Sequence, residues 1–304
     1  MSKHVAIAGG SSNVAQEVID AIISRGSYQV AVLSRRDAPS NEKRGIAWKK
    51  VDYNSQESLV AALAGIDTLL NFVATADMDA AFELQKALAQ AAVKAGVRRF
   101  APSEWSSRSG SGVALYRYKD DTRKYLEDMN REKEQIEYCL FQPGFFTEYF
   151  ATPHSTARHF QSFKMFADFE HRRAIMLDGP DSLLTLTTVE DMAKVVALAL
   201  EYPGKWPTVG RIQGTQTRLW AFLSLAERIR GPFQIERLLP EDVAKGELKT
   251  SWYPVVEHSL LPDEYREMVS KSVLCEYLTT LAAGSWSFTS AEEYLGSVWN
   301  VDQV

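Results

Sequence analysis

The chain has 304 residues, of which 45% are hydrophobic and 24% charged, a composition that suits a globular protein with one large α/β domain and a smaller lobe. A net charge of −5 without a basic stripe argues against nucleic-acid binding, and two cysteines, Cys139 and Cys275, are too few for a disulfide framework or a zinc site. Because the N-terminus lacks a signal-peptide pattern and no stretch approaches the roughly 20 apolar residues of a membrane span, we expect a cytoplasmic protein without a membrane partner.

Strand-like and helical patterns alternate through the first half of the sequence. Short apolar, β-rich runs predict strands at 4–8, 28–33, 46–51, 68–73, 99–101 and 137–141. Apolar residues at helical spacing predict helices at 14–24, 55–63, 80–95 and 120–130. Because such alternation needs right-handed crossovers, it predicts the α/β class, with a doubly wound parallel sheet covered by helices.

The second half of the sequence is less regular. Its patterns predict short strands at 174–177 and 183–187, and helices at 189–201, 219–230, 262–278 and 290–298. The composition shifts after about Gly144. We therefore expect a cofactor-binding domain at 1–150 and a substrate-binding region at 151–304, with some strands of the second part returning to the main sheet.

A turn rich in small residues joins the first predicted strand to the first helix. Backbone amides at such a helix start face a bound pyrophosphate, and small residues let that group approach. An ordinary tight turn gives the same pattern, but its place after the first of six strands favours a dinucleotide site. The predicted cofactor-binding residues of this turn are Gly9, Ser11, Ser12, Asn13 and Val14.

Two arginines, Arg35 and Arg36, follow the second predicted strand. An NAD-preferring site usually has an Asp or Glu there to bond the ribose hydroxyls, and a carboxylate would repel a 2′-phosphate. Arginine instead binds a phosphate through a charge-assisted fork. The pair therefore predicts NADP(H) as the cofactor, the alternative being two solvated surface charges.

Three segments resemble the NmrA-like and isoflavone-reductase-like proteins, an atypical branch of the short-chain dehydrogenases. Residues 8–15 are similar to the family's Gly-Gly-Thr-Gly-Asn-Val-Gly turn, with Ser12 and Ala15 in place of its later glycines. Residues 98–105 resemble its Arg-Phe-x-Pro-Ser-Glu-Phe motif, and residues 142–150 its Pro-Gly-x-Phe-x-x-Tyr-Phe segment. The resemblance covers about residues 3–235 and implies a Rossmann-type sheet that binds NADP(H).

The resemblance also implies further cofactor contacts. Asp52 matches the region that often meets the adenine, and Arg35 matches the family's phosphate-binding arginine. Other positions match the path of the ribose and nicotinamide, namely Ala74, Thr75, Pro143, Gly144 and Phe146.

Lys119 is the first candidate for catalysis. The ordinary short-chain dehydrogenase has Tyr and Lys four residues apart, and here Leu115 stands four before Lys119, so that dyad is absent. Lys119 and Arg123 instead match the Lys-x-x-x-Arg spacing of the isoflavone-reductase-like branch. In that branch the lysine lies near the nicotinamide ribose and is the proposed acid–base group, which implies both roles for Lys119. An ordinary surface lysine is the alternative.

Acidic residues supply the remaining catalytic candidates. Glu104 follows the fifth predicted strand, on the edge where open α/β sheets bind ligands, and is either a pocket acid or base or a structural carboxylate. Asp77 and Glu257 are further candidates that would serve an amine substrate. Trp252 and Tyr253 are candidate pocket walls for a flat apolar molecule, although core or surface roles fit them equally.

Three classes of function remain. The first is a cytoplasmic NADPH-dependent oxidoreductase of secondary metabolism, such as alkaloid biosynthesis, that reduces an aromatic or alkaloid-like compound at a C=C, C=N or benzylic ether carbon. The second keeps NADP but performs acid–base cyclisation through an iminium ion, of the Pictet–Spengler type. The third is an NmrA-like regulator that senses NADP without catalysis. A small aromatic molecule is the expected partner, no metal is expected, and a homodimer is compatible with the sequence.

Overall fold

This computed structural model describes residues 3–39, 44–75, 77–106, 116–178, 181, 183–239, 241–242 and 249–254. Its first part alternates strands with helices, as the sequence predicted. The elements are β1 (Lys3–Ala8), α1 (Asn13–Arg25), β2 (Tyr28–Ser34), β3 (Ala47–Lys50), α2 (Gln56–Leu63), β4 (Thr68–Asn71), α3 (Met78–Ala95), β5 (Arg99–Ala101), α4 (Arg117–Met129), β6 (Glu137–Tyr138) and β7 (Leu140–Gln142).

The first six strands form one parallel sheet in the order β3-β2-β1-β4-β5-β6. One residue beyond β6, β7 pairs in parallel with the later strand β12 (Val209–Arg211). The strand order reverses between β1 and β4, and open α/β sheets bind ligands outside the carboxyl ends of their strands at such a point. The predicted α/β class with a Rossmann-type parallel sheet is confirmed.

The sheet is stabilised by burial of its strands between helices. Ile7 of β1, Leu69 of β4 and Phe100 of β5 are fully buried. Each such side chain contributes about 1.5–3 kcal/mol relative to an exposed position. Helix α3 ends where Gly96 takes the left-handed conformation, φ 73°.

The second part of the chain contains the remaining elements. These are β8 (Phe145–Phe146), a 3₁₀ helix (Thr147–Phe150), β9 (Ala167–Asp168), β10 (Arg173–Leu177), β11 (Leu183–Thr187), α5 (Val189–Glu201), β12, β13 (Thr215–Arg218), α6 (Leu219–Arg230) and β14 (Gln234–Leu238). They include two small sheets, in the orders β14-β10-β9 and β13-β11-β8. An aromatic cluster forms the core here, with Phe150 4.7 Å from Phe222 between ring centres.

Contacts group the described chain into two units. The first contains the described residues up to 106 together with 116–142 and 192–211. The second contains 143–191 and the described residues from 212 onward. The division into a cofactor domain at 1–150 and a substrate region at 151–304 stays a prediction. The predicted helices at 262–278 and 290–298 lie outside the described residues, and none of the described helices combines the length and apolar character that a membrane crossing requires.

Cys139 separates β6 from β7 and is 1% exposed. Its Sγ faces Gly210 of β12, where an added Cβ would lie 2.5 Å from the sulfur. Burial raises the pKa of the Cys139 thiol to about 12. The thiol therefore stays protonated at neutral pH.

Candidate active site

The turn after β1 is shaped by two glycines. Gly9 has φ +70°, and a Cβ there would lie 2.7 Å from the backbone nitrogen of Val73 and 2.8 Å from the carbonyl carbon of Phe72. A Cβ on Gly10 would lie 2.8 Å from the side chain of Val32. Neither position accepts a side chain without displacement of its neighbours. At the carboxyl end of β1, the turn therefore has no side chain at these two positions to cover its backbone.

Helix α1 starts directly after this turn. Ser12 is its N-cap, and the Ser12 hydroxyl accepts a hydrogen bond from the Ala15 backbone at 3.4 Å. The first turn of α1 contains no acidic residue, so nothing there neutralises the positive end of the helix dipole. Exposed backbone N–H groups and a positive helix end are what a pyrophosphate requires. The arrangement around Gly9, Ser11, Ser12, Asn13 and Val14 thus fits the predicted dinucleotide cradle.

The end of β2 carries two exposed cations, Arg35 and Arg36. The hydroxyl of Tyr53 donates to the Leu33 carbonyl at 3.0 Å, at the same end of β2. Burial raises the pKa of Tyr53, while a backbone hydrogen bond from Gly9 and the charge of Arg35 act in the opposite direction. Tyr53 is therefore close to the glycine turn and is influenced by the charge of Arg35. Tyr53 was not predicted from the sequence, where only its place after strand β3 could have indicated it.

Four predicted positions near these elements are exposed. Asp52 follows β3 and accepts a hydrogen bond from the Asn54 backbone at 2.9 Å. Ala74 and Thr75 follow β4. Asp77 is the N-cap of α3, and its carboxylate accepts from the backbone of two residues of the first turn, each at 3.0 Å. The Asp77 carboxylate thus stabilises the start of α3.

A buried amide network connects the loops after β4 and β5. The Asn71 side chain donates to Gln85 Oε1 at 2.8 Å, and the Ser103 backbone donates to the same oxygen at 2.8 Å. Asn71 Oδ1 in turn accepts from the Val73 backbone at 2.9 Å. This network fixes both loops against α3. The signal for it in the sequence is a polar residue, Asn71, at the end of a fully buried strand.

Glu104 and Lys119 come together beside β7. Glu104 is 2% exposed, and its Oε1 accepts from the side-chain amide of Gln142 at 2.9 Å. Lys119 is 5% exposed, and its ammonium donates to the backbone carbonyl of Glu104 at 2.6 Å. Burial of an ammonium costs several kcal/mol unless other groups compensate. The two residues that the sequence singled out are therefore neighbours, and Gln142 is a partner to which the sequence assigned no role.

Arg123 lies one turn after Lys119 on α4 and is oriented by acidic groups. The hydrogen bond that Arg123 Nε donates to Glu127 at 2.9 Å raises the pKa of Arg123. Burial lowers this pKa, and the charge of Glu104 raises it. Arg123 thus pairs with Glu127 along α4, whereas Lys119 bonds the Glu104 carbonyl.

Trp105 follows Glu104 and has an unusual backbone for a residue with a side chain. Its φ is +28°, a conformation that costs about 1–2 kcal/mol outside glycine. The indole ring is stacked between Phe72 at 4.2 Å and Phe141 at 5.6 Å, and its N–H donates to the Asn71 carbonyl at 2.6 Å. These contacts hold the strained turn that orients Glu104.

Tyr116 is the N-cap of α4 and was not assigned a role from the sequence. Its hydroxyl lies 2.9 Å from the Ser106 hydroxyl, and either oxygen can be the donor. The ammonium of Lys119 lies 3.8 Å from the centre of the Tyr116 ring, close enough for a cation–π interaction. Tyr116 stands three residues before Lys119, so it does not match the four-residue Tyr–Lys spacing of the ordinary short-chain dehydrogenases.

Three of the residues predicted along the nicotinamide path, Pro143, Gly144 and Phe146, belong to the second unit. Thr187 donates to the Pro143 carbonyl at 2.7 Å, and Gly144 has φ +73° with no room for a Cβ against Thr185. Phe146 is 4% exposed and packs 5.0 Å from Phe160 between ring centres. Contacts within the second unit thus fix the backbone at Pro143 and Gly144. Glu257 lies outside the described residues.

Comparisons with known sequences find a matching family and a related protein. A model described as the NmrA-like family matches residues 1–221. The oxidoreductase BOA1 of Botryotinia fuckeliana is 26% identical over 230 residues, 75% of this chain and 76% of that protein.

Solved structures give the same fold. An isoflavone reductase superimposes with a TM-score of 0.69 at 17% identity, covering 98% of this chain and 99% of its own. The triphenylmethane reductase of Citrobacter sp., solved with NADP(H), also has a TM-score of 0.69, at 16% identity over 97% of this chain and 99% of its own. At these identities the likeness is one of fold.

Proposed function

Because this chain belongs to the NmrA-like family, we propose that it is an NADPH-dependent reductase of an aromatic or alkaloid-like secondary metabolite. The reducible group is a C=C, C=N or benzylic ether carbon. The observation that carries the proposal is the buried ammonium of Lys119, held on the Glu104 carbonyl at 2.6 Å after β5 of the sheet that also carries the glycine turn. The oxidoreductase name of the Botryotinia fuckeliana relative and the reductase names of the two solved structures support it.

NADP(H) supplies a hydride when bound, and the residues of the first unit determine how it is held. The bare backbone at Gly9 and the start of α1 bind the pyrophosphate. Arg35, with Arg36 as a second contact, pairs with the 2′-phosphate and selects NADP(H) over NAD(H). Lys119 lies beside the nicotinamide ribose.

The substrate is flat and largely apolar. Support comes from an aromatic group in the second unit that contains Phe146, Tyr149, Phe160 and Phe163, with Tyr149 4.7 Å from Phe163 between ring centres. Such rings favour offset or edge contacts with another aromatic ring, each contributing about 0.5–1.5 kcal/mol beyond area burial.

The test uses NADPH carrying deuterium at C4 and a panel of hydride acceptors. The panel contains a quinone, a cationic triphenylmethane dye, an isoflavone and a cyclic imine. A reductase consumes one NADPH per product and transfers the label to it. Loss of absorbance without labelled product, or no reaction with any acceptor, contradicts the assignment.

A cyclase that keeps NADP is the second candidate, and the buried carboxylate of Glu104 favours it because cyclisation releases a proton that a carboxylate can accept. Such an enzyme forms product equally well with NADP⁺ and transfers no label. In that case Glu104→Gln is more damaging than Lys119→Met, since a neutral amide cannot take the proton. For the reductase, Lys119→Met is the more damaging change. An NADP-sensing regulator makes no product with any of these compounds.

A further inference from the structure

Asn71 ends strand β4 at the point where the order of the sheet reverses, between β1 and β4. Ligands of open α/β sheets bind beside such a point. The Phe72 backbone still donates to the Ala8 carbonyl at 2.8 Å, but the next backbone N–H, that of Val73, donates to Asn71 Oδ1 at 2.9 Å. The Asn71 side chain therefore ends the pairing with β1 and sets the direction in which the chain leaves β4.

The peptide that joins Phe72 to Val73 lies against the glycine turn. A Cβ on Gly9 would lie 2.7 Å from the Val73 nitrogen and 2.8 Å from the Phe72 carbonyl carbon. Because the Val73 N–H is bonded to Asn71, this peptide approaches Gly9 without an unsatisfied donor. The orientation of the Asn71 side chain therefore determines how the turn fits against the end of β4.

Gln85 of α3 holds the Asn71 side chain in this orientation. It is 2% exposed, and its Oε1 accepts from Asn71 Nδ2 and from the Ser103 backbone, each at 2.8 Å. Its Nε2 is buried and has no hydrogen-bond partner among the described residues, an arrangement that lowers stability. Position 85 thus uses only the oxygen of its amide, which ties the ends of β4 and β5 together.

We propose that Asn71 and Gln85 are positioning residues for the nicotinamide half of NADP(H). This inference rests on the proposed dinucleotide site. By the family resemblance, Ala74 and Thr75, which follow β4, lie along the ribose and nicotinamide path. The adenosine 2′-phosphate is assigned to Arg35 after β2, and β1 separates β2 from β4. Loss of the Gln85 oxygen therefore changes the site for one half of the cofactor and leaves the site for the other half.

Two ligands separate the halves of the site. NADP⁺ contains both halves, whereas adenosine 2′,5′-bisphosphate contains only the adenosine half with its two phosphates. Calorimetric titration measures both affinities in the wild-type chain and in Gln85→Met, which keeps the approximate shape but removes the acceptor. We expect Gln85→Met to weaken NADP⁺ binding by about tenfold, which corresponds to about 1.4 kcal/mol, and to leave binding of the bisphosphate unchanged.

Gln90→Met is the matched control, because Gln90 lies on the same helix and its amide donates to the Tyr125 hydroxyl at 3.0 Å. It leaves both affinities unchanged. Gln85→Glu keeps an acceptor oxygen at position 85 and binds NADP⁺ more tightly than Gln85→Met. A loss that is equal for the two ligands in Gln85→Met would mean a role in stability alone and overturns the positioning role.

Asn71→Asp tests the same contact from the other side. An ionised aspartate keeps an oxygen for the Val73 N–H but cannot donate to Gln85, so NADP⁺ binding weakens selectively there too. Selective loss in neither variant overturns the proposal. A wild-type chain that binds neither ligand overturns the proposed dinucleotide site as well. A chain that binds NADP⁺ but reduces no acceptor contradicts the reductase function alone, since these measurements need no turnover.

Discussion

The glycine turn and the Glu104–Lys119 pair belong to the same parallel sheet but are built in opposite ways. The turn works through missing side chains, since a Cβ on Gly9 would meet backbone atoms at 2.7–3.0 Å. The pair depends on buried hydrogen bonds that Glu104, after β5, accepts from Lys119 of α4 and Gln142 of β7. The first site is therefore sensitive to any added atom. The second is sensitive to the loss of a hydrogen-bond partner.

Replacement of Gly9 by alanine is expected to have the largest effect on stability. The left-handed φ and the contact with the Val73 and Phe72 backbone together cost about 2–5 kcal/mol of unfolding free energy. Urea unfolding measures it. Gly26→Ala is the matched control, because Gly26 has φ +68° with nothing within 4 Å of its added Cβ, and it incurs only the conformational cost. Equal losses in the two variants would show that the turn is not tightly packed.

Removal of the Arg35 guanidinium tests the charged end of the nucleotide site. Arg35→Ala is expected to weaken NADPH binding by about 1.5–3 kcal/mol, or roughly ten- to a hundred-fold, and to leave NADH binding unchanged, because only NADPH carries the 2′-phosphate. Calorimetric titration with both cofactors measures the difference. Arg131→Ala, which removes an exposed arginine from the Arg131–Asp128 pair, is the control. Equal wild-type affinity for the two cofactors would contradict the assignment.

Gln142→Met tests the buried pair with the smallest expected change. Methionine keeps the approximate shape but removes the donor to Glu104, which costs about 1–3 kcal/mol of unfolding free energy. The exposed Gln135→Met variant should cost less. In a double-mutant cycle with Glu104→Leu, the Gln142 effect should shrink because its partner is gone. Strict additivity would mean that the two side chains do not depend on each other.

The sequence predicted most of what the backbone determines. Helix α5 (Val189–Glu201) and strand β11 (Leu183–Thr187) were predicted with their observed bounds, because each has a clear apolar period and a distinct end. Strands β8 and β9 have two residues each, too few for a period. Strand β14 is mostly exposed, so it lacks the alternation that marks a buried strand.

The candidate site was only partly predictable for a physical reason. The glycine turn is local, and its residues are consecutive in the chain. Glu104 and Lys119 were selected through a family resemblance, but their partners depend on which side chains meet after folding. Ser106 and Tyr116 are ten residues apart in the chain, yet their hydroxyls lie 2.9 Å from each other. A spacing rule for Tyr and Lys assumes one helical face, and here Tyr116 is the cap that precedes the helix.

The reactivity of the thiol between β6 and β7 can measure how often strands β7 and β12 separate. With a pKa of about 12 and 1% exposure, Cys139 offers an alkylating reagent almost no thiolate while β7 and β12 stay paired. In a chain whose Cys275 is replaced by serine, each alkylated molecule records one separation of these strands. The rate at which iodoacetamide consumes the protein therefore reports how often the sheet opens, without a spectroscopic label and in the folded state.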